Sequence, residues 1–221
     1  MLRPFFLLLL SASLSWTLQG QITAERQSMS EGVYEGLQIR IPDLDDKTVG
    51  DVWGNFTKDY YDARSRYDRR SQEYQAEGAE IPAIGQGENV NLYMTASEVN
   101  NGTLVTVWFK FGDAYVSHDQ FPDRYLEAEK VMMQFALECG KEKTRQDIDQ
   151  MEKDLRDMER DLDRLAREKE RYEQDIKKAE EAIRQAQASI EENVQAQGAA
   201  QEQIKQQQEL IEATRRKLND L

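Results

Sequence analysis

Cysteine and histidine are almost absent: the 221-residue chain has one of each. A single Cys rules out an intramolecular disulfide, and a single His rules out multi-histidine metal sites. Proline is scarce too, with four in all and none after Pro122. Residues 141–221 contain one glycine, Gly198, so nothing there breaks a helix sharply. Positive charge is in deficit, with 29 Lys and Arg against 42 Asp and Glu and a net charge of −13. Nucleic acids and anionic membrane surfaces both need a basic footprint, which this chain lacks. No apolar run beyond the first twenty residues is long enough to span a bilayer. No motif for a cofactor or a metal is present.

The N-terminus reads as an address. Arg3 supplies a short positive region, Phe5 to Leu10 with Leu14 and Trp16 an apolar one, and polar Gln19 and Gln21 follow. This is the pattern of a signal peptide over residues 1–20, with Gly20 small enough to precede cleavage. A retained anchor is the minor alternative. The mature protein is expected to be exported, periplasmic or secreted. Asn55-Phe56-Thr57 and Asn101-Gly102-Thr103 fit the glycosylation acceptor pattern, a triplet that also arises often by chance.

Residues 31–140 read as an α+β domain. Leu37, Ile39 and Ile41 alternate with Gln38 and Arg40, as in a half-buried strand ended by Pro42. Asp45, Asp46 and Thr48 offer helix-capping oxygens. Val49, Val52, Trp53, Phe56 and Tyr60 then recur at helical spacing. Asp43, Asp45, Asp46 and Asp51 do not match a calcium-loop spacing, so capping and dipole roles are assigned to them. Gly50 and Gly54 imply close approach to a sheet. Short strands are expected at 63–67 and 78–84. Residues 90–99 and 104–111 flank Asn101-Gly102, a favoured hairpin turn. That turn sets Ala96 against Val107, Met94 against Phe109 and Leu92 against Phe111, all on one apolar face. Tyr93 and Trp108 fall on the other face, read as a candidate binding platform, as a pair covered by a neighbouring segment, or as a cross-strand aromatic contact. Arg64, Arg66, Arg69 and Arg70 make the one basic cluster of the domain, read either as a partner-binding edge or as a strand edge kept unpaired by its charges. Tyr125, Ala128, Met132, Phe135 and Cys139 line one face of a last helix begun at Pro122, so Cys139 is read as a core thiol. His118 and Cys139 lack the spacing signature and third group of a catalytic pair.

Residues 141–221 carry the strongest signal. With Ile148 at heptad position a, the a series continues through Leu155, Leu162, Ile176, Ile183, Ile190, Ile204, Ile211 and Leu218, and Leu165 lies in the d series. The seven-residue phase never slips, which predicts a left-handed coiled coil. Lys169 and Gln197 are the polar members of the a series. Positions e and g in the first half are mostly acidic, among them Asp147, Glu152, Asp154, Glu159, Glu168, Glu173, Asp175 and Glu180. In the second half they turn neutral. Bases are shifted to outer positions, where pairs such as Glu152–Arg156 and Glu173–Lys177 are expected within one helix.

The stretches Leu104-Val-Thr-Val-Trp-Phe109 and Glu127-Ala-Glu-Lys-Val-Met-Met-Gln-Phe-Ala-Leu137, with the signal peptide and the charged helix that follows, resemble a family of uncharacterised exported proteins of Bacteroidota-type bacteria. The resemblance implies an N-terminal α+β head and a C-terminal coiled coil in an exported protein, and no activity. The sequence is therefore read as a non-enzymatic structural or interaction protein whose partner is a protein, either a second copy or another helical chain. The alternative is a binding module whose head takes a peptide, glycan or client protein.

Overall fold

The computed structural model describes residues 22–219, and side chains as far as Arg216. The expected signal peptide and Leu218 of the seam lie outside what is described. The chain divides into two compact units, one running to Gln150 and the other beginning at Met151.

The first unit is an antiparallel sheet of seven strands with helices. The strands are β1 (Thr23–Met29), β2 (Gly32–Pro42), β3 (Ser65–Asp68), β4 (Glu73–Ala79), β5 (Val90–Val99), β6 (Gly102–Phe111) and β7 (Ala114–Tyr115). Their order is β1-β2-β6-β5-β4-β3, and β7 pairs with β6. Helix α1 (Asp46–Tyr61) follows β2, a single turn α2 (Pro82–Gly85) follows β4, and α3 (Pro122–Asn219) follows β7. Asp45 caps α1 by accepting from the Thr48 amide at 2.6 Å. This bond holds the Asp45 carboxyl below its usual range. Trp53 and Phe56 of α1 meet Phe135 of α3 at centroid distances of 5.0 and 5.5 Å. Leu37, Ile39, Leu92, Met94, Val107 and Phe109 of the sheet share one buried cluster with these helices. Cys139 belongs to it, fully buried. Antiparallel sheet and amphipathic helices thus close one core, as the alternation and the 3.6-residue spacing require.

The hairpin register differs from the expected one. Leu92 pairs with Phe109, Met94 with Val107 and Ala96 with Val105. The loop is Asn100-Asn101, closed by Val99 opposite Gly102. Positive φ falls on Asn101, at 63°. Gly102 also has positive φ, at 141°, and is needed for a second reason: a Cβ there would sit 2.2 Å from the Ile41 carbonyl of neighbouring β2. The register is displaced by two residues, a whole pleat period, so every side chain keeps its expected face.

Two further expectations are corrected. Of the stretch 78–84 only Gly78 and Ala79 are strand, the end of β4, which begins at Glu73; Pro82 opens α2. A bulge between Ala76 and Ala79 places the buried residues of β4 at 73, 76 and 79, which hides the period of two. Strand β1, almost wholly polar and largely exposed, has no sequence signature.

Strand β2 bends at Gly36. Residues 37–42 pair with β6. Residues 32–35 leave β6, stay paired with β1, and give β7 its place beside Lys110 and Phe111. A Cβ on Gly36 would lie 2.6 Å from Thr106 Cγ2 and 2.8 Å from Trp108 Nε1. Gly36→Val is expected to cost about 1–3 kcal/mol through overpacking. Gly54→Ala, where a Cβ meets nothing within 4 Å, should instead gain up to about 1 kcal/mol from helix propensity. Urea unfolding followed by tryptophan fluorescence reads both; equal effects would refute the close approach.

Candidate functional site

The candidate surface is a seam on α3. This helix runs 98 residues. Its acids and bases are paired along their own helix: Glu152–Arg156 at 3.7 Å, Asp157–Arg160 at 2.8 Å, Asp161–Arg164 at 3.0 Å and Asp175–Lys178 at 3.5 Å. Glu173 pairs with Lys169 at 3.6 Å rather than with Lys177. Each such pair supports the helix by a few tenths of a kcal/mol, about 0.2–0.5. The apolar stripe is left over. Ile148, Leu155, Leu162, Leu165, Ile176, Ile183, Ile190, Ile204 and Ile211 are all between 45 and 67 % exposed. These side chains recur in the seven-residue phase of the seam, interrupted by Lys169 and Gln197, and form an exposed apolar stripe. Nearer the N-terminus of α3, Leu126, Met133 and Leu137 are also half exposed.

The Tyr93–Trp108 platform does not exist as an open surface. The two pair across the hairpin, but they are 6 and 1 % exposed. The bent end of the β1–β2 hairpin covers them. Tyr115 completes a second small cluster, with Met29 and Tyr34 packed against it. Trp108 Nε1 donates to the Tyr34 carbonyl at 3.3 Å. Tyr34 stacks on Tyr115 with centroids 3.8 Å apart.

Glu31 fastens this cover. Its carboxylate accepts from Tyr93 and Tyr115 hydroxyls at 2.6 Å each and from Lys110 Nζ at 2.5 Å. The Lys110 bond, followed by the two tyrosine bonds, lowers its pKa to about 2. Burial, and then Glu31 itself, pushes both tyrosines well up. The adjacent Ser30 amide donates to buried Glu73 at 2.7 Å. A lone Glu in a polar turn carries no periodicity, so only the tyrosines on the outer face hinted at something above them.

The arginine cluster is where the sequence placed it. Arg64, Arg66, Arg69 and Arg70 are exposed, on and beside edge strand β3. Among the described residues no ion pair or side-chain hydrogen bond occupies their guanidinium groups, although the Arg70 amide donates to Asp68. Arg64 borders an open groove of about 360 Å³ between α1 and the β3–β4 hairpin, with Asn55, Lys58, Tyr67 and Tyr74. Gly50 touches Tyr74 closely, whereas Gly54 faces this groove without a neighbour.

His118 and Cys139 are not brought together. His118 is exposed and contacts Asp119 at 3.3 Å. Burial pushes the Cys139 thiol up to about 12. Among the described residues no His, Cys, Asp and Glu group is arranged to hold a metal ion, and no helix is long and apolar enough to cross a membrane. No protein-family model, curated protein or solved structure matches the chain.

Glu31 gives a pH prediction for the first unit. Its folded pKa lies below the ordinary value of 4.5, so its contribution is present above that value and is lost as pH falls toward about 2. Glu31→Gln should flatten the acid limb of stability in that window while lowering stability at pH 7. Urea midpoints from pH 7 to pH 2 measure this; an unchanged acid limb would remove the carboxylate from the latch.

Proposed function

We propose that the chain is a non-enzymatic exported structural or interaction protein, whose α+β head is carried on a helix that self-associates as a coiled coil. It would act as a spacer, oligomeriser or adaptor in the cell envelope. One observation carries this reading: a stripe of Ile, Leu and Met in unbroken seven-residue phase stays half exposed along the long helix. Completing the burial of one such side chain is worth roughly 1 kcal/mol, so a second helix with the same spacing gains at every layer. The intrahelical ion pairs support the same reading, since they satisfy charges along the helix itself while leaving the stripe bare. Export rests on the signal pattern of residues 1–20.

A second reading is favoured by the arginine edge. Four guanidinium groups without ion-pair partners, beside a groove with two tyrosines, suit a peptide, glycan or client protein bearing carboxylates. On that reading the head supplies recognition and the long helix supplies valency.

Ile183 and Ile190 test the first reading. Changing both to Asp should reduce the sedimentation mass to that of a single chain and leave the near-UV circular dichroism of the head unchanged. The same change at Leu155 and Leu162, where flanks are acidic, should weaken association less. A wild-type protein that sediments as a compact single chain overturns the proposal.

A further inference from the structure

Resting on the self-association just proposed, we infer that the partner is a second copy of this chain running antiparallel, with Ile183 of one copy facing Ala186 of the other. Charge and bulk along the exposed seam both point to this direction.

Charge comes first. In a parallel, in-register pair each g residue faces the e residue five positions on. Asp147 then meets Glu152, Asp154 meets Glu159, Glu168 meets Glu173 and Asp175 meets Glu180. Every one of these contacts sets acid against acid, and symmetry doubles each. The bases of that half blunt this crowding without removing it, because they are held along their own helix, as in Arg164–Glu168 and Lys169–Glu173. Arg156, Arg160 and Arg164 lie at outer positions, tied to Glu152, Asp157 and Asp161 of their own helix. Parallel pairing would also set Lys169 against Lys169 within the seam. In an antiparallel pair g faces g and e faces e. Glu152 then meets Arg215, Glu159 meets Gln208, Glu173 meets Val194 and Glu180 meets Gln187. Asp161, Glu168 and Asp175 meet Leu210, Gln203 and Ala196. No acid among these meets another acid, because the acidic first half of one copy lies along the neutral second half of the other.

Bulk follows the same division. The a series of the second half keeps Ile, whereas its d series is small or polar: Ala179, Ala186, Asn193, Ala200, Gln207 and Thr214. An antiparallel pair sets a against d. Ile183 packs on Ala186 and Ile190 on Ala179, and the two-fold axis repeats both layers. Leu165 meets Ile204, and Met158 meets Ile211. Each polar seam residue faces a residue unlike itself: Lys169 meets Ala200, Gln197 meets Tyr172 and Asn193 meets Ile176. A shift of one heptad one way sets Glu180 on its own copy. A shift the other way sets Ile183 on Asn193. The register with Ile183 on Ala186 avoids both.

Spin labels at outer positions of the full-length chain read the direction. Gln174→Cys, Ala188→Cys and Gln195→Cys are three such variants. Native Cys139 is buried, with its thiol pushed up to about 12, and the unmodified protein serves as the labelling control. With a helical rise of about 1.5 Å per residue, antiparallel pairing offsets the labels along the axis by about 32 Å at position 174, about 10 Å at 188 and again about 32 Å at 195. Electron–electron distance measurement should therefore give one long distance shared by 174 and 195 and a much shorter one at 188. The same short distance at all three positions means a parallel pair and overturns the inference while leaving self-association intact. Sedimentation of the same samples separates the two failures: a single-chain mass overturns self-association and with it the direction, and a mass above two chains overturns the pair.

Discussion

A sheet has two faces, and the central strands of this one carry large side chains on both. Helices α1 and α3 cover one face, the face with Leu92, Met94, Val107 and Phe109. On the opposite face, with Tyr93, Trp108 and Tyr115, no helix packs among the described residues. Burying it falls to the sheet's own first hairpin, and most of the irregular features of the unit follow from that requirement. Strand β2 must leave its neighbour at Gly36, where a side chain would strike Thr106 and Trp108. Strand β7 fills the ladder position that β2 vacates. Glu31 and Glu73 then anchor the tip of the hairpin to β4, β5, β6 and β7. The polar tips of the tyrosines are satisfied by a carboxylate rather than by water, which is how aromatic groups with a hydroxyl are buried at little cost.

The long helix answers a different constraint. Between Tyr125 and Cys139 one face of it, with Tyr125, Ala128, Met132, Phe135 and Cys139, is spent on the head's core. From Ile148 onward its large apolar side chains recur in a seven-residue phase and, among the described residues, stay exposed. With acids and bases paired lengthwise, the charges contribute to helix formation and little to the choice of partner through attraction. What remains to select a partner is avoidance: where acids would crowd, and where a branched side chain would meet another of the same size. In the reading proposed here the specificity of the helix is therefore mainly repulsive, which is a common way for coiled coils to exclude wrong pairings.

Legibility in the sequence followed the strength of the periodicity. Helix α1, its Asp45 cap, the β5 and β6 strands and the helix after Pro122 were all readable, because alternation or 3.6-residue spacing was sustained over many residues. The hairpin faces were readable and its register was not. Asn-Gly marks a turn in general, but here the loop lies one residue earlier, and the glycine, at positive φ, also admits the approach of β2. Strand β4 was misplaced because a bulge breaks its alternation, and β1 was invisible because it faces water along most of its length. The Tyr93–Trp108 pair illustrates a limit of another kind. Pattern assigns a residue to a face of a sheet, but it cannot say whether a distant segment returns to cover that face. The cover here comes from residues 29–36, more than fifty positions away in the chain.

The lengthwise ion pairs carry a kinetic consequence. Short amphipathic segments usually fold as they bind, so the entropy of ordering is charged to the encounter and dissociation returns the chain to coil. A helix of 98 residues held by its own charge pairs has met that cost before any partner arrives. Its exposed stripe is then a preorganised template. On the proposed reading, two chains would exchange partners without passing through an unfolded state, and the lifetime of a pair would be set by how fast the seam parts rather than by how fast the helix forms.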